Sequence, residues 1–129
     1  MNTKAFLLAG LLLFACFSGK AQKHINKCKL EIISAEPQTI SGKTRWYKLV
    51  IQNNNELTLD ALEWEAHFYN KFNNLIGVKK GDWSSGDFID PISPGKKLTS
   101  REITKDLGDA DRVYIHISRA HFVGNKTCN

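Results

Sequence analysis

The chain has 129 residues, 42% hydrophobic and 24% charged, with Lys+Arg 18 against Asp+Glu 13. Those figures allow one ordinary domain. They exclude a (β/α)₈ barrel of about 250 residues, a multidomain enzyme, and a wholly disordered chain, which would be far poorer in apolar residues.

The first segment reads as an export signal. Lys4 gives a basic start, residues 5–17 are almost wholly apolar, and small residues follow at Ser18, Gly19 and Ala21. That order of charge, apolar stretch and small-residue cleavage site is the layout of a secretory signal. The apolar run falls short of the roughly 20 residues that a spanning helix needs. Residues 1–21 are therefore expected to be removed, leaving 22–129 as a single domain. Lys4 and Lys20 leave with the signal and no acid does, so the net charge falls from +5 to +3. A second reading takes Leu13-Phe14-Ala15-Cys16 as a lipobox, with Cys16 lipidated and the protein tied to the outer membrane. Phe14 departs from that pattern, which prefers a small or aliphatic residue.

Two cysteines remain, Cys28 and Cys128, which stand 100 positions apart. An even number in an oxidising compartment points to a disulfide that closes nearly the whole domain. Loop-closure entropy puts its stabilisation at about 4.7 kcal/mol at most. The alternative is two free thiols. Neither Cys has a second ligand at metal-binding spacing.

The rest of the chain alternates with period two. Cys28, Leu30 and Ile32 open a first strand, and Pro37, Ser41 and Gly42 mark a turn region. Residues 45–52 are rich in aromatic and β-branched types and predict a second strand, broken by Asn53-Asn54-Asn55. Leu62, Trp64, Ala66 and Phe68 alternate with Glu63, Glu65, His67 and Tyr69, one face apolar and the other wet. Residues 70–74 predict a hairpin loop leading to a short strand at 75–78. Residues 79–94 read as loop, with a short edge strand around 83–89. Pro94-Gly95 turns the chain into a strand over 98–103, and residues 112–122 form the last strand. Nowhere does a long stretch show helical periodicity and caps. Six to eight short strands predict an all-β, immunoglobulin-like antiparallel sandwich with Trp64 in its core.

The runs His67-Phe-Tyr-Asn70, Asn74-Leu-Ile-Gly77 and Ile92-Ser-Pro-Gly-Lys-Lys-Leu98 resemble the strand and turn pattern of FxLYD-type domains of exported bacterial proteins. Val50-Ile-Gln-Asn-Asn54 stands for that pattern's first element, and Asn70 replaces its Asp. The resemblance covers about residues 45–117. It implies a small immunoglobulin-like sandwich with no shared active site, presenting a surface and not a reaction.

The groups that could carry chemistry each have a plainer reading. Ser84, Ser85, Ser93 and Ser118 lie in no nucleophile elbow. Glu63 and Glu65 are same-face neighbours, as on any half-exposed strand. Glu65 and His67 share a face, whereas His116 and His121, five apart, fall on opposite faces of an unbroken strand. Asp82, Asp87 and Asp90 lack the alternation of a calcium loop. No cofactor and no metal is expected, nor nucleic acid as a partner, because the lysine pairs 79–80 and 96–97 form no basic tract.

The remaining candidate is residues 81–88, with Trp83, Ser84, Asp87 and Phe88 as a binding loop. Two placements are open: contact anchors on a polar loop, or rings folded back over the end of the sandwich. The expected function is a monomeric, non-catalytic module of the bacterial envelope or extracellular space, periplasmic or secreted, that recognises a protein or surface glycan. It would meet membrane only if lipidated at Cys16. An inhibitor or immunity-type protein, and a small hydrolase or metal-dependent enzyme, are the alternatives.

Overall fold

The structure, a computed structural model, describes residues 24–129; the expected signal, residues 1–21, and with it Cys16 lie outside the described residues. Among the described residues it is all-β and without helix, in two antiparallel sheets. The strands run in chain order: β1 His24–Ile25, β2 Leu30–Ile40, β3 Lys43–Asn53, β4 Leu59–Tyr69, β5 Leu75–Ser84, β6 Lys97–Leu107, β7 Arg112–Phe122 and β8 Lys126–Cys128. One sheet has the order β1-β2-β3-β6, the other β5-β4-β7-β8.

The connections follow from residue type. Ser41 (φ 52°) and Gly42 (φ 76°) both take positive φ. They link β2 to β3 as a tight hairpin whose geometry matches strand twist. Asn70 Oδ1 accepts from the backbone N–H of Phe72 and of Asn74, each at 3.0 Å. The side chain so closes the β4–β5 loop from within. Before β6, Pro94 and Gly95 (φ 80°) form a turn. Lys96 N–H closes it on Ser93 O at 3.0 Å.

The alternating apolar positions of both sheets meet between them. Tyr47, Leu49 and Ile51 of β3 face Leu62, Trp64, Ala66 and Phe68 of β4, with Ile115 and Ile117 of β7 beside them, and all are buried. Trp64 Nε1–H donates to Tyr47 Oη at 3.0 Å, tying one sheet to the other. Burial pushes the pKa of the Tyr47 phenol up to about 12, with the Trp64 hydrogen bond opposing the rise and nearby Glu102 adding to it. The Tyr47 and Phe68 rings meet edge to face, centroids 5.4 Å apart, a favoured aromatic geometry.

Three places depart from the sequence reading. Pro37 lies inside β2, opposite Tyr47, so the turn is confined to Ser41-Gly42. β5 continues past Val78 to Ser84, because residues 79–84 pair with residues 61–66 of β4. Its glycines and lysines hid that strand. The third departure is in β7, where the register shifts against Glu63 and Trp64 of β4, leaving Ser118 as an extra residue. Buried positions move from 113, 115 and 117 to 120 and 122 across it. His116 and His121 consequently lie on the same outer face, not on opposite ones.

Cys28 and Cys128 stand at disulfide distance, with Cα atoms 5.8 Å apart. Cys28 shortly precedes β2 and Cys128 ends β8, so the link joins the two sheets at one end of the molecule.

Candidate functional site: the loop between β5 and β6

The β5–β6 loop, residues 85–96, leaves the same end of the molecule as the disulfide. Its first stem is fixed by Ser85 N–H on Asp60 O at 2.8 Å. Its second stem is fixed by a reciprocal pair, Leu59 N–H on Ile92 O at 2.9 Å and Ile92 N–H on Leu59 O at 2.8 Å. At the tip, Gly86 N–H donates to Ile89 O at 2.9 Å and Ile89 N–H returns to Gly86 O at 3.3 Å, which closes a turn around Asp87 and Phe88. The loop is therefore a small ordered hairpin.

Asn53 bolts that hairpin to the rest of the fold. Its side chain is completely buried, and its Nδ2 donates to Ile92 O at 2.8 Å and to Leu57 O at 2.9 Å. Its Oδ1 accepts from Asn55 N–H at 2.9 Å. Its backbone carbonyl accepts from Gly95 N–H, and its own N–H donates to Lys96 O at 2.9 Å. Asn55 Nδ2 in turn donates to Cys28 O at 3.1 Å. The run Asn53-Asn54-Asn55 reads in sequence only as a strand breaker. Its role in holding the loop depends on a partner 39 positions away.

The four predicted loop residues separate. Trp83 belongs to β5, is half-buried and packs against the core. Ser84 ends β5 and is exposed. Asp87 and Phe88 occupy the tip, and the Phe88 side chain is fully exposed. Of the two placements open for the rings, Trp83 takes the inward one and Phe88 the outward one. Ile89, 50% exposed, continues the apolar surface beside Phe88, and Asp87 and Asp90 flank it. Another exposed aromatic, Phe72, tips the β4–β5 loop (85% exposed); the sequence shows it only as part of a turn.

The outer face of the β5-β4-β7-β8 sheet carries the other candidates. Glu63, Glu65, Lys80, Asp82 and Ser118 line a shallow depression of about 470 Å³ next to the β7 bulge. Glu63 accepts from Arg119 Nη2 at 2.7 Å. That hydrogen bond holds the Glu63 carboxyl below the usual range. Glu65 accepts from His67 Nε2 at 3.1 Å. His116 pairs across the ladder with Glu65, exposed. His121 donates from Nδ1 to Asp60 at 2.5 Å and from Nε2 to Asn125 Oδ1 at 3.3 Å. With both ring nitrogens donating, the imidazolium is favoured. The Asp60 hydrogen bond, then that to Asn125, raises its pKa. Among the described residues, no three His, Cys, Asp or Glu side chains converge as a metal site would require. Of Ser85 and Ser93, both in the β5–β6 loop, the first is half-buried and the second exposed.

Set against known proteins, the chain matches no protein-family model, no curated protein and no solved structure.

Proposed function

We propose that this chain is an exported, non-catalytic binding module of immunoglobulin-like type that engages a protein partner through the Phe88 hairpin. The observation that carries the reading is a fully exposed phenylalanine at the tip of a loop fixed at both stems. Burying a Phe side chain contributes roughly 1.5–3 kcal/mol, and a loop already ordered loses little conformational freedom on binding. An aromatic anchor beside Ile89, rimmed by Asp87 and Asp90, suits an apolar pocket with a basic border.

The immunoglobulin-like type is supported by the strand order. β2, β3 and β6 correspond to strands A, B and E of such sandwiches, and β5, β4, β7 and β8 to C′, C, F and G, with a buried Trp on strand C. An FxLYD-type relationship rests on the sequence runs at residues 67–70, 74–77 and 92–98. Export, to the periplasm or the medium, is supported by the signal-like segment 1–21. The Cys28–Cys128 link adds to that support, because it suits an oxidising compartment.

The test is capture from the source organism's envelope and culture fluid with the purified chain and with Phe88→Ala. A partner retained by the parent and lost by Phe88→Ala, at unchanged melting temperature, supports the reading. Identical captured sets refute it.

A further inference from the structure

The outer face of the β1-β2-β3-β6 sheet is a second surface, on the opposite side of the molecule from the carboxylate-lined depression. Tyr47, Leu49 and Ile51 point inward, so Trp46, Lys48, Val50 and Gln52 of β3 point outward. The register sets Trp46 beside Ile103, Lys48 beside Arg101, Val50 beside Thr99 and Gln52 beside Lys97 of β6. The cations Lys48, Arg101 and Lys97 lie on β3 and β6, with Lys97 and Arg101 on the side away from β2. Two carboxylates lie on β2: Glu36 stands opposite Lys48, and Glu31, opposite Gln52, accepts from Asn54 Nδ2 at 3.0 Å. Glu102 of β6 points the other way, into the sandwich, and accepts from Ser100 Oγ.

The Arg101 guanidinium stacks over the Trp46 ring at 3.8 Å from its centroid. Stacking of this kind restrains the planar fork and does not use its edge N–H groups, which suits bidentate contact with an acid group. Ile103, 83% exposed, extends the flat apolar strip beside Trp46. Lys97 and Arg101, four positions apart on one strand, present positive charge at a separation of roughly 13 Å along the sheet. A linear polymer with repeating acid groups reaches both at once.

We propose that this β3–β6 face binds an acidic polysaccharide. Carboxylate or sulfate groups pair with Lys48, Lys97 and Arg101, and a sugar ring lies against Trp46 and Ile103. The neutral polar side chains Thr99 and Gln52 stand between the cations and meet sugar hydroxyls. A lipid surface has no use for those polar groups and needs protruding apolar side chains in their place. The proposal does not rest on Phe88: the loop joins this face only where it runs into Lys97, and its exposed tip at Asp87 and Phe88 contributes none of the groups invoked here.

The test uses the full chain with its disulfide intact, titrated with polygalacturonate, dextran sulfate and neutral dextran, and with phosphatidylglycerol vesicles. Expected is binding to at least one polyanion but not to neutral dextran, weakening as salt rises. Lys48→Gln/Arg101→Gln should raise Kd at least ~tenfold. Lys71→Gln/Lys80→Gln removes the same charge from exposed positions off this face and should leave Kd within about twofold. Unchanged melting temperatures show that both variants fold. Failure to bind either polyanion, equal binding to neutral dextran, equal loss in the two double variants, or binding to vesicles alone would each overturn the proposal.

Discussion

Gly81 of β5 lies directly against the indole of Trp64 on the neighbouring strand: a Cβ built on the glycine would stand 2.3 Å from Cε2 and 2.5 Å from Nε1. The ring covers the glycine's bare backbone, and the glycine gives the ring its space. Gly81→Ala should therefore destabilise the fold by about 1–3 kcal/mol, because the rigid ring must shift. Gly77→Ala, where the obstacle is the end of the flexible Leu107 side chain, should cost less. Urea denaturation followed by tryptophan fluorescence checks both. A Gly81→Ala variant as stable as the parent would contradict the close approach.

The Cys28–Cys128 link makes a larger contribution. Cys28→Ser/Cys128→Ser, or reduction, should lower stability by about 2–5 kcal/mol. Thermal unfolding with and without dithiothreitol measures this. Thiol titration of the denatured, unreduced mature protein should find no free cysteine.

Asn53→Ala removes the donors to Leu57 O and Ile92 O and the acceptor for Asn55 N–H in one step. Leaving buried polar groups unsatisfied costs about 1–3 kcal/mol each. Hydrogen exchange should accelerate over residues 92–96 before it does over β3 and β4. Uniform acceleration across the whole chain would show that Asn53 stabilises the fold without specifically fixing the loop.

The Asp60–His121 contact predicts a definite pH dependence. In the unfolded chain the imidazole titrates near its ordinary value of about 6.5; in the fold the Asp60 and Asn125 hydrogen bonds raise it. Its stabilisation is thus fully present below about pH 6.5 and is lost as pH rises through the higher folded value. Stability measured across the neutral and mildly alkaline range should show this decline in the parent and not in His121→Gln. The same slope in both proteins would exclude the contact as its source.

The strands most visible in the sequence are those with one apolar and one wet face. Residues 62–69 and 112–122 announce themselves because Trp64, Phe68, Val113 and Ile115 recur on alternate positions against polar neighbours. The extension of β5 was hidden because an edge strand resting on a Trp ring carries glycines where an inner strand carries branched side chains, and because Lys79 and Lys80 mimic a loop. The Ser118 bulge left no compositional mark, yet it sets which face His121 occupies. In the candidate loop, composition marked residues 81–88 as one segment, but the division between Trp83 and Phe88 depends on where β5 ends, which pairing with β4 decides. Asn53 was legible only as punctuation, since its partners come together through the fold.

The link between Cys28 and Cys128 also has a mechanical consequence. Cys28 stands close after His24, and Cys128 is followed only by Asn129 among the described residues. A tension applied at residues 24 and 129 runs through the sulfur bridge and bypasses the strands between. Beyond the short β1–β2 pairing, the hydrogen-bonded ladders would bear almost none of that load, so the rest of the domain should keep its shape under pulling forces that unzip an unbridged sandwich.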